Sequence, residues 1–264
     1  TRWLSDWSSD VCSSDLTLQT EIGPSEIGTV CDHCLAAKLA GWTQVRDGGW
    51  LPTIGTALHA WIEQAFITSE NNRNAQHTTG LRYLTEAPVM VGRIAGREVW
   101  GSTDLVDLVA GMTVDWKLVG ATTLRSAKSG PSEVYRVQAD LYAKGWNDAG
   151  YRVDHVAIAY LPRNAQSLND AIWWTAPHDR GRAEAALARA DHMATQLQAL
   201  ATLSPDAVTA WIAGLPRAQG CWDCSRYPDG QHLPKPGHRP GNDLTGLIAP
   251  QTPGATGTGS TTAA

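Results

Sequence analysis

Two Cys-x-x-Cys pairs at distant points of the sequence constrain the fold of this chain more than any other feature. Cys31 and Cys34 form the first pair, and Cys221 and Cys224 form the second. Four thiols are one complete ligand set for Zn²⁺ or for a 4Fe–4S cluster, and their number does not distinguish the two. A shared metal centre would clasp the two ends of the fold together and add folding energy. The alternative is two separate thiol pairs, structural or redox-active.

The composition is that of a folded protein without a membrane span. The 264 residues carry a formal net charge of −5, and 42% of them are hydrophobic. No run approaches the roughly 20 apolar residues that a membrane-spanning helix needs. The acidity excludes a histone-like nucleic-acid binder but allows an enzyme with a local basic channel. Five cysteines are too few for a secreted disulfide scaffold, so we expect a cytoplasmic protein.

Both ends of the chain are expected to lie outside the fold. Residues 1–16 resemble in part the translation of a sequencing-library adapter, and the alternative is a disordered leader rich in Ser and Asp. The fifth cysteine, Cys12, belongs to this segment. Residues 249–264 are rich in Gly, Thr, Ala and Pro, which predicts a disordered tail. Residues 17–248 are then one domain, with the metal clasp built from 25–45 and 205–230.

Between the ends, the hydrophobic pattern predicts alternating helices and strands. The predicted helices cover 24–40, 53–67, 131–149, 178–203 and 205–215. The predicted strands cover 82–92, 97–109, 112–118, 153–161 and 171–175. A three-strand meander followed by a helix and further strands is typical of an α/β fold with a central mixed β-sheet flanked by helices. Ser25 is the expected N-cap of the first helix.

Two acidic residues are expected to meet across a predicted hairpin. Asp104 ends the middle strand of the meander, and Asp115 and Lys117 share one face of the next strand. The turn at 110–111 brings Asp104 close to Asp115, and two adjacent carboxylates repel each other unless a cation lies between them. Oxygen ligands favour Mg²⁺ or Mn²⁺, and Lys117 could stabilise charge on a phosphate. The alternative is a solvated hairpin with ordinary surface charges.

Two further pairs of residues are spaced four apart on predicted helices. His59 and Glu63 share a helical face, so His59 could bind the same cation while Glu63 orients its ring. The alternative is a partly buried histidine whose polar atoms are satisfied. Gln138 and Tyr142 also share a face, which suits hydrogen bonding to a nucleic-acid strand and stacking on it. The alternative is a core tyrosine beside a surface glutamine.

In this order the motifs resemble those of RecB-type PD-(D/E)XK nucleases. They are Gly-Thr-x-x-His ending at His59, Gly-Ser-Thr-Asp ending at Asp104, Asp-x-Lys at 115–117 and Gln-x-x-x-Tyr at 138–142. The resemblance implies a restriction-endonuclease-like core and a metal-dependent exonuclease that acts on single-stranded DNA, with a 5′ end favoured. Asp115 stands where such motifs commonly have Glu. A chain that keeps the fold without catalysis, as a DNA-binding or assembly module, is the alternative.

The resemblance also implies roles for the residues named above. The implied ligands of the catalytic Mg²⁺ or Mn²⁺ are His59, Asp104, Asp115 and the backbone carbonyl of Trp116. Lys117 would be the catalytic lysine, acting together with Asp104 and Asp115. Gln138 and Tyr142 would line the DNA path.

The cysteines extend the resemblance to the iron–sulfur exonucleases of the AddB and Cas-four type, over about 25–227. This favours a 4Fe–4S cluster over Zn²⁺. The sequence departs from that pattern because it has two cysteines on each side of the core instead of one upstream and three downstream. The resemblance implies DNA as the partner, together with proteins of recombination, repair or CRISPR adaptation, in a bacterial or phage-infected cell.

Overall fold

Alternating helices and strands build this protein, as a computed structural model shows for residues 22–42, 44, 50–76 and 80–229. All of these residues belong to one unit, 19–234. The adapter-like segment 1–16 and the predicted tail 249–264 lie outside the described residues. Within the described part of the chain, no helix has both the length and the apolar character needed to cross a membrane.

The described helices and strands follow one another in an order close to the predicted one. The helices are α1 (Pro24–Ile27), α2 (Asp32–Leu39), α3 (Trp50–Ala75), α4 (Ala121–Ala127), α5 (Glu133–Asp148), α6 (Arg180–Ala201) and α7 (Pro205–Ala213). The strands are β1 (Tyr83–Ile94), β2 (Arg97–Asp107), β3 (Met112–Val119), β4 (His155–Pro162) and β5 (Ile172–Pro177). Short 3₁₀ turns cover Leu168–Asp170 and Trp222–Arg226.

The five strands form one mixed sheet in the order β1-β2-β3-β4-β5. Strands β3 and β4 are parallel, whereas the other neighbouring strands are antiparallel. Apolar side chains of α5 and α6 pack against one face of the sheet, and those of α3 pack against the other. The structure therefore confirms the predicted α/β fold with a central mixed sheet flanked by helices.

Strand β3 shows how the sheet distributes its side chains. Val114 and Trp116 pack in the apolar cluster beside α3, whereas Val119 belongs to the cluster beside α5. Because side chains alternate along a strand, Asp115 and Lys117 share the face of Val119 and point towards α5. The alternation thus places both polar side chains on one side of the sheet.

The first predicted helix is wrong in its continuity, because it is interrupted between α1 and α2. A Cβ atom at Gly28 would lie 2.9 Å from the Val134 Cα atom, so the chain leaves α1 where it passes closest to α5. Ser25 is not the N-cap, since Gly23 occupies that position without a side-chain hydrogen bond. The break depends on the contact of Gly28 with α5, which the helical spacing of apolar residues in the sequence cannot predict.

Two other helices, α3 and α4, differ from the prediction. Helix α3 runs from Trp50 to Ala75, so it extends beyond 53–67 in both directions. Helix α4 was not predicted at all, because its seven residues carry no clear apolar period.

A buried charge connects α5 to the start of α6. Asp140 is 0% exposed, and its carboxylate accepts hydrogen bonds from the Asp179 N–H (2.8 Å) and the Arg182 guanidinium (2.6 Å). The His178 ring lies 3.3 Å from the same carboxylate. Burial opposes the charge, but these three donors hold the pKa of Asp140 below its usual value.

We expect the substitution Asp140→Asn to lower the free energy of unfolding by about 2 kcal/mol, because it removes the charge that accepts the buried hydrogen bonds, while Arg182 keeps its ion pairs with Glu133 and Asp179. Asp148→Asn is the matched control: Asp148 pairs with Lys144 and Arg180 but its side chain is 32% exposed, so we expect a loss below about 1 kcal/mol. Urea denaturation at neutral pH measures both values.

The same pair of proteins tests the pH dependence. The pKa of Asp140 is lower in the folded state, so its stabilising effect is present above the unfolded pKa of about 3.9 and is lost as the pH falls through the folded pKa. The stability difference between wild type and Asp140→Asn should therefore shrink below about pH 4. A difference that grows on acidification contradicts this role.

Candidate active site and four-cysteine centre

Antiparallel pairing of β2 with β3 brings the two predicted carboxylates together. Leu105 pairs with Val114, and the same register continued by one residue puts Asp104 opposite Asp115. The pairing of β2 with β3 ends here. The Trp116 N–H donates its hydrogen bond to the Asp104 side chain instead, over 2.8 Å. The predicted hairpin therefore does bring Asp104 and Asp115 to opposite positions on adjacent strands.

Asp115 and Lys117 form a buried ion pair next to α5. Lys117 Nζ lies 3.0 Å from Asp115 Oδ1 and donates a second hydrogen bond of 3.0 Å to Gln138 Oε1. Burial, Lys117 and Asp104 together bring the pKa of Asp115 up to about 6: burial and the charge of Asp104 raise it, and Lys117 partly offsets them. Burial disfavours the Lys117 ammonium, but Asp115 raises the pKa of Lys117 above its usual value, so this side chain carries a positive charge.

One oxygen of Asp115 lacks a hydrogen bond. Oδ2 lies 2.8 Å from Lys117 Nζ, but the angle is unsuitable for a hydrogen bond, and no other donor among the described residues satisfies it. A buried carboxylate oxygen without a donor is unfavourable. It is suited to a cation, so the donor set fits the predicted Mg²⁺ or Mn²⁺.

His59 on α3 faces the same position from the other side. Its Nδ1 atom lies 3.6 Å from Asp104 Oδ1 and 3.7 Å from Glu86 Oε1, and its Nε2 atom lies 3.1 Å from the Trp116 carbonyl oxygen. Ligand atoms of His59, Glu86 and Asp104 all lie within 4.8 Å of one another. The two carboxylates raise the pKa of His59 to about 10, which shows that the negative charge here favours a cation.

Sequence reasoning missed Glu86. It stands between Thr85 and Ala87, which pair with Leu105 and Thr103, so its place in the register faces Asp104. Its φ of 42° is in the left-handed region, which non-glycine residues rarely adopt and which is found where a side chain has a special task. The available signal was an acidic residue in a strand that holds no other acid.

The sequence predicted that Glu63 orients the His59 ring, but the described residues show no hydrogen bond between the two side chains. Glu63 lines the open cavity in front of His59, together with Glu86, and the hydrogen bonds found for the described residues include none from Glu63 to the ring. The ring is oriented by Asp104 and by the Trp116 carbonyl instead. These groups come from the sheet, whose contact with α3 the helical spacing could not reveal.

Gln138 and Tyr142, the residues predicted to line a DNA path, are buried. Each of the two residues is only 6% exposed. Gln138 accepts the hydrogen bond from Lys117, and the Tyr142 ring packs where a Cβ atom at Gly101 would lie 2.9 Å away. The shared helical face was predicted correctly, but it faces the sheet and positions Lys117.

The four predicted sulfur atoms also come together. Cys31 Sγ and Cys34 Sγ each lie 3.6 Å from Cys224 Sγ, and Cys34 Sγ lies 3.8 Å from Cys221 Sγ. All four lie within 4.8 Å of one another, and none of the four is in a disulfide. Burial raises the pKa of the Cys34 thiol far above its usual range. One ion binding all four as thiolates would remove this penalty, so the set fits a metal.

Polar contacts hold the two cysteine segments together independently of a metal. Lys38 donates hydrogen bonds of 3.0 Å to Asp223 and 3.2 Å to Thr29. The buried His33 ring lies 3.1 Å from the Asp229 carboxylate, and the His33 N–H donates to the Pro216 carbonyl. The separation of the sulfur atoms is therefore supported by bonds outside the cluster.

The sequence matches no protein-family model and no curated protein. Among solved structures, the alkaline exonuclease LHK-Exo of Laribacter hongkongensis in complex with dAMP is similar, with a TM-score of 0.42, 11% identity, and coverage of 68% of this chain and 89% of that chain. A phage-related exonuclease from Haemophilus somnus has a TM-score of 0.42, 13% identity, and coverage of 65% and 82%. At this level of similarity, the function of this chain has to be inferred from its own residues.

We expect the affinity for Mn²⁺ to increase with pH. Because the pKa of His59 is raised to about 10, a metal ion that binds His59 must displace its proton near neutral pH. One displaced proton predicts an affinity that rises about tenfold per pH unit between pH 6.5 and 8.5. Isothermal titration calorimetry measures the slope, and His59→Gln should bind more weakly with a flatter dependence. A wild-type affinity independent of pH would exclude His59 as a ligand.

Proposed function

We propose that this chain is a divalent-metal-dependent deoxyribonuclease that degrades DNA as an exonuclease. The observation that carries the proposal is the convergence of Asp104, the Asp115–Lys117 ion pair and His59 at the middle of β3. Two carboxylates, a histidine and a charged lysine suit hydrolysis of a phosphodiester, in which negative charge develops on the phosphate.

Four side chains and one carbonyl would hold Mg²⁺ or Mn²⁺. They are His59, Glu86, Asp104, Asp115 and the carbonyl oxygen of Trp116. When bound, the ion would stabilise the negative charge of the phosphate and favour ionisation of the attacking water.

Lys117 would stabilise charge rather than remove a proton. Its raised pKa keeps the ammonium charged, so Nζ is a hydrogen-bond donor and not a base. Gln138 and Asp115 hold Nζ at 3.0 Å each, which fixes its direction before the substrate arrives. As water adds to phosphorus and the bond to the leaving sugar oxygen breaks, this fixed charge would stabilise the phosphate oxygens.

A second cavity at the carboxyl ends of β3 and β4 would supply the basic channel that an acidic protein needs. Arg125 of α4, Lys128 just after α4 and Arg163 after β4 line it, against one acid, Asp170. The cavity also borders Val119, two residues beyond Lys117 on the same strand. A DNA strand that enters the active site could therefore place neighbouring phosphates beside these cationic side chains.

Strand preference and direction are proposed from the family resemblance. We propose that the substrate is single-stranded DNA degraded from a 5′ end. DNA is the proposed partner, and proteins of recombination, repair or CRISPR adaptation in a bacterial or phage-infected cell follow from the same resemblance. The four-cysteine centre has a structural role in this proposal, because it joins α2 to the segment that follows α7.

The alternative function is a DNA-binding or assembly module without catalysis. Such a module would have no need for a buried carboxylate oxygen without a donor or for a buried charged lysine fixed by two hydrogen bonds. Both features are unfavourable for folding alone, and this favours the enzyme.

We expect purified protein to degrade labelled single-stranded DNA in Mn²⁺, and Asp115→Asn and Lys117→Met to reduce the rate at least about 100-fold. Asp206→Asn on α7 and Lys128→Met in the basic cavity are matched controls for the loss of one charge. The first should leave the rate unchanged, and the second should weaken DNA binding more than turnover. Circular dichroism melting curves verify that every variant is folded.

The outcomes separate the two functions. Equal cleavage by wild type, Asp115→Asn and Lys117→Met would mean that this site is not catalytic. DNA binding without cleavage by any protein, in Mn²⁺ or Mg²⁺, would favour the binding module.

Direction is tested with single strands labelled at either end. Degradation from a 5′ end releases a 5′ label as a short product at once, whereas a 3′ label remains on a ladder of shortening strands. A blocked 5′ end should stop the reaction and a blocked 3′ end should not. Immediate release of the 3′ label contradicts the proposed direction.

A further inference from the structure

The distances between the four cysteine sulfur atoms carry information about the metal centre. Three sulfur pairs are separated by 3.6, 3.6 and 3.8 Å, and no pair exceeds 4.8 Å. These values are far longer than the sulfur–sulfur bond of a disulfide, which is about 2.05 Å. The four atoms are therefore grouped around a point without being bonded to one another.

A single tetrahedral ion and a 4Fe–4S cluster require very different separations. Around one Zn²⁺ with bonds of about 2.3 Å, the edge of the sulfur tetrahedron is about 3.8 Å. In a 4Fe–4S cluster each thiolate binds a different iron and points away from the cube, so the sulfur atoms lie about 6 Å apart or more. The observed separations match the single ion and do not fit the cluster.

Contacts outside the thiols keep the two segments at this separation. Lys38 donates a hydrogen bond to Asp223, which lies between the two cysteines of the second pair, and the His33 ring is hydrogen-bonded to Asp229. Cys31 and Cys34 are buried at the start of α2. Sulfur atoms that bind a 4Fe–4S cluster lie about 6 Å apart, whereas those around one Zn²⁺ lie about 3.8 Å apart. A cluster would therefore have to move the second cysteine pair more than about 2 Å from the first, which would break these hydrogen bonds.

We infer that Cys31, Cys34, Cys221 and Cys224 bind one Zn²⁺ rather than an iron–sulfur cluster. The two-and-two arrangement agrees, because each Cys-x-x-Cys pair provides two adjacent corners of one tetrahedron. The iron–sulfur expectation from the resemblance is therefore replaced by a redox-inert structural ion. The inference is independent of the proposed nuclease activity, because it concerns a separate set of residues.

The test uses the full chain, produced with iron and zinc both supplied and purified once in air and once without oxygen. We expect about one zinc per chain by elemental analysis, almost no iron or acid-labile sulfide, and no absorbance band at about 400 nm in either preparation. Iron and sulfide at about four atoms each per chain in the anaerobic preparation would overturn the inference. A chain that has neither metal, and whose melting temperature Zn²⁺ does not change, would overturn it too.

Geometry is tested by replacing the ion. After chelation, addition of Co²⁺ should produce intense visible bands of a tetrahedral thiolate site, and equimolar Zn²⁺ should abolish them. Weak bands of an octahedral Co²⁺ site would contradict the four-thiolate set.

Variants identify the ligands. Cys221→Ser should lose most of the zinc, whereas Cys12→Ser, the matched control at the fifth cysteine, should keep the wild-type stoichiometry. Should Cys221→Ser fail to fold, chelation of the wild type decides: its melting temperature should fall and should recover with Zn²⁺ but not with Fe²⁺ and sulfide. Full zinc content in a folded Cys221→Ser protein would overturn the assignment.

Discussion

The buried ion pair of Asp115 and Lys117 is the interaction on which the rest of the candidate active site depends. A charged lysine and a carboxylate away from water are stable only if further partners complete their hydrogen bonds. Lys117 obtains one from Gln138 on α5, so the helix that covers the sheet is also part of the site. Asp115 Oδ2 has no hydrogen bond among the described residues, and the charge of Asp104 acts on the same carboxyl group. The neighbouring carboxylates of Asp104 and Asp115 thus suit a divalent cation.

The two candidate metal centres differ in chemistry and in position. Oxygen atoms and one imidazole surround the first, which suits a hard, exchangeable ion at an open cavity. Four sulfur atoms surround the second, which suits a soft ion that stays bound. The first lies at the sheet and borders an open cavity. The second lies between α2 and the segment after α7. Their separate ligand types would keep two such ions from competing for one site.

Local sequence patterns predicted the backbone of the site well. The alternation along β3 put Asp115 and Lys117 on one face, and the hairpin turn put Asp104 opposite them, because both follow from neighbours in the chain. The same reasoning did not reveal which groups Glu63 and Gln138 contact. Both residues do lie on the predicted helix faces, but the element that each face meets depends on tertiary packing. Glu86 was missed because its side chain is directed by an unusual φ value.

By itself, the sequence determined which residue types stand at which spacing: an α/β alternation, two pairs of thiols and the acids and lysine of one hairpin. These are local properties, set by the periods of helix and strand and by the covalent chain. Only the tertiary structure decided that Gln138 holds Lys117, that Glu86 joins His59 and Asp104, and that the four sulfur atoms lie as close as 3.6 Å. Those facts depend on distances between segments up to 193 residues apart, and such distances are set by packing and burial.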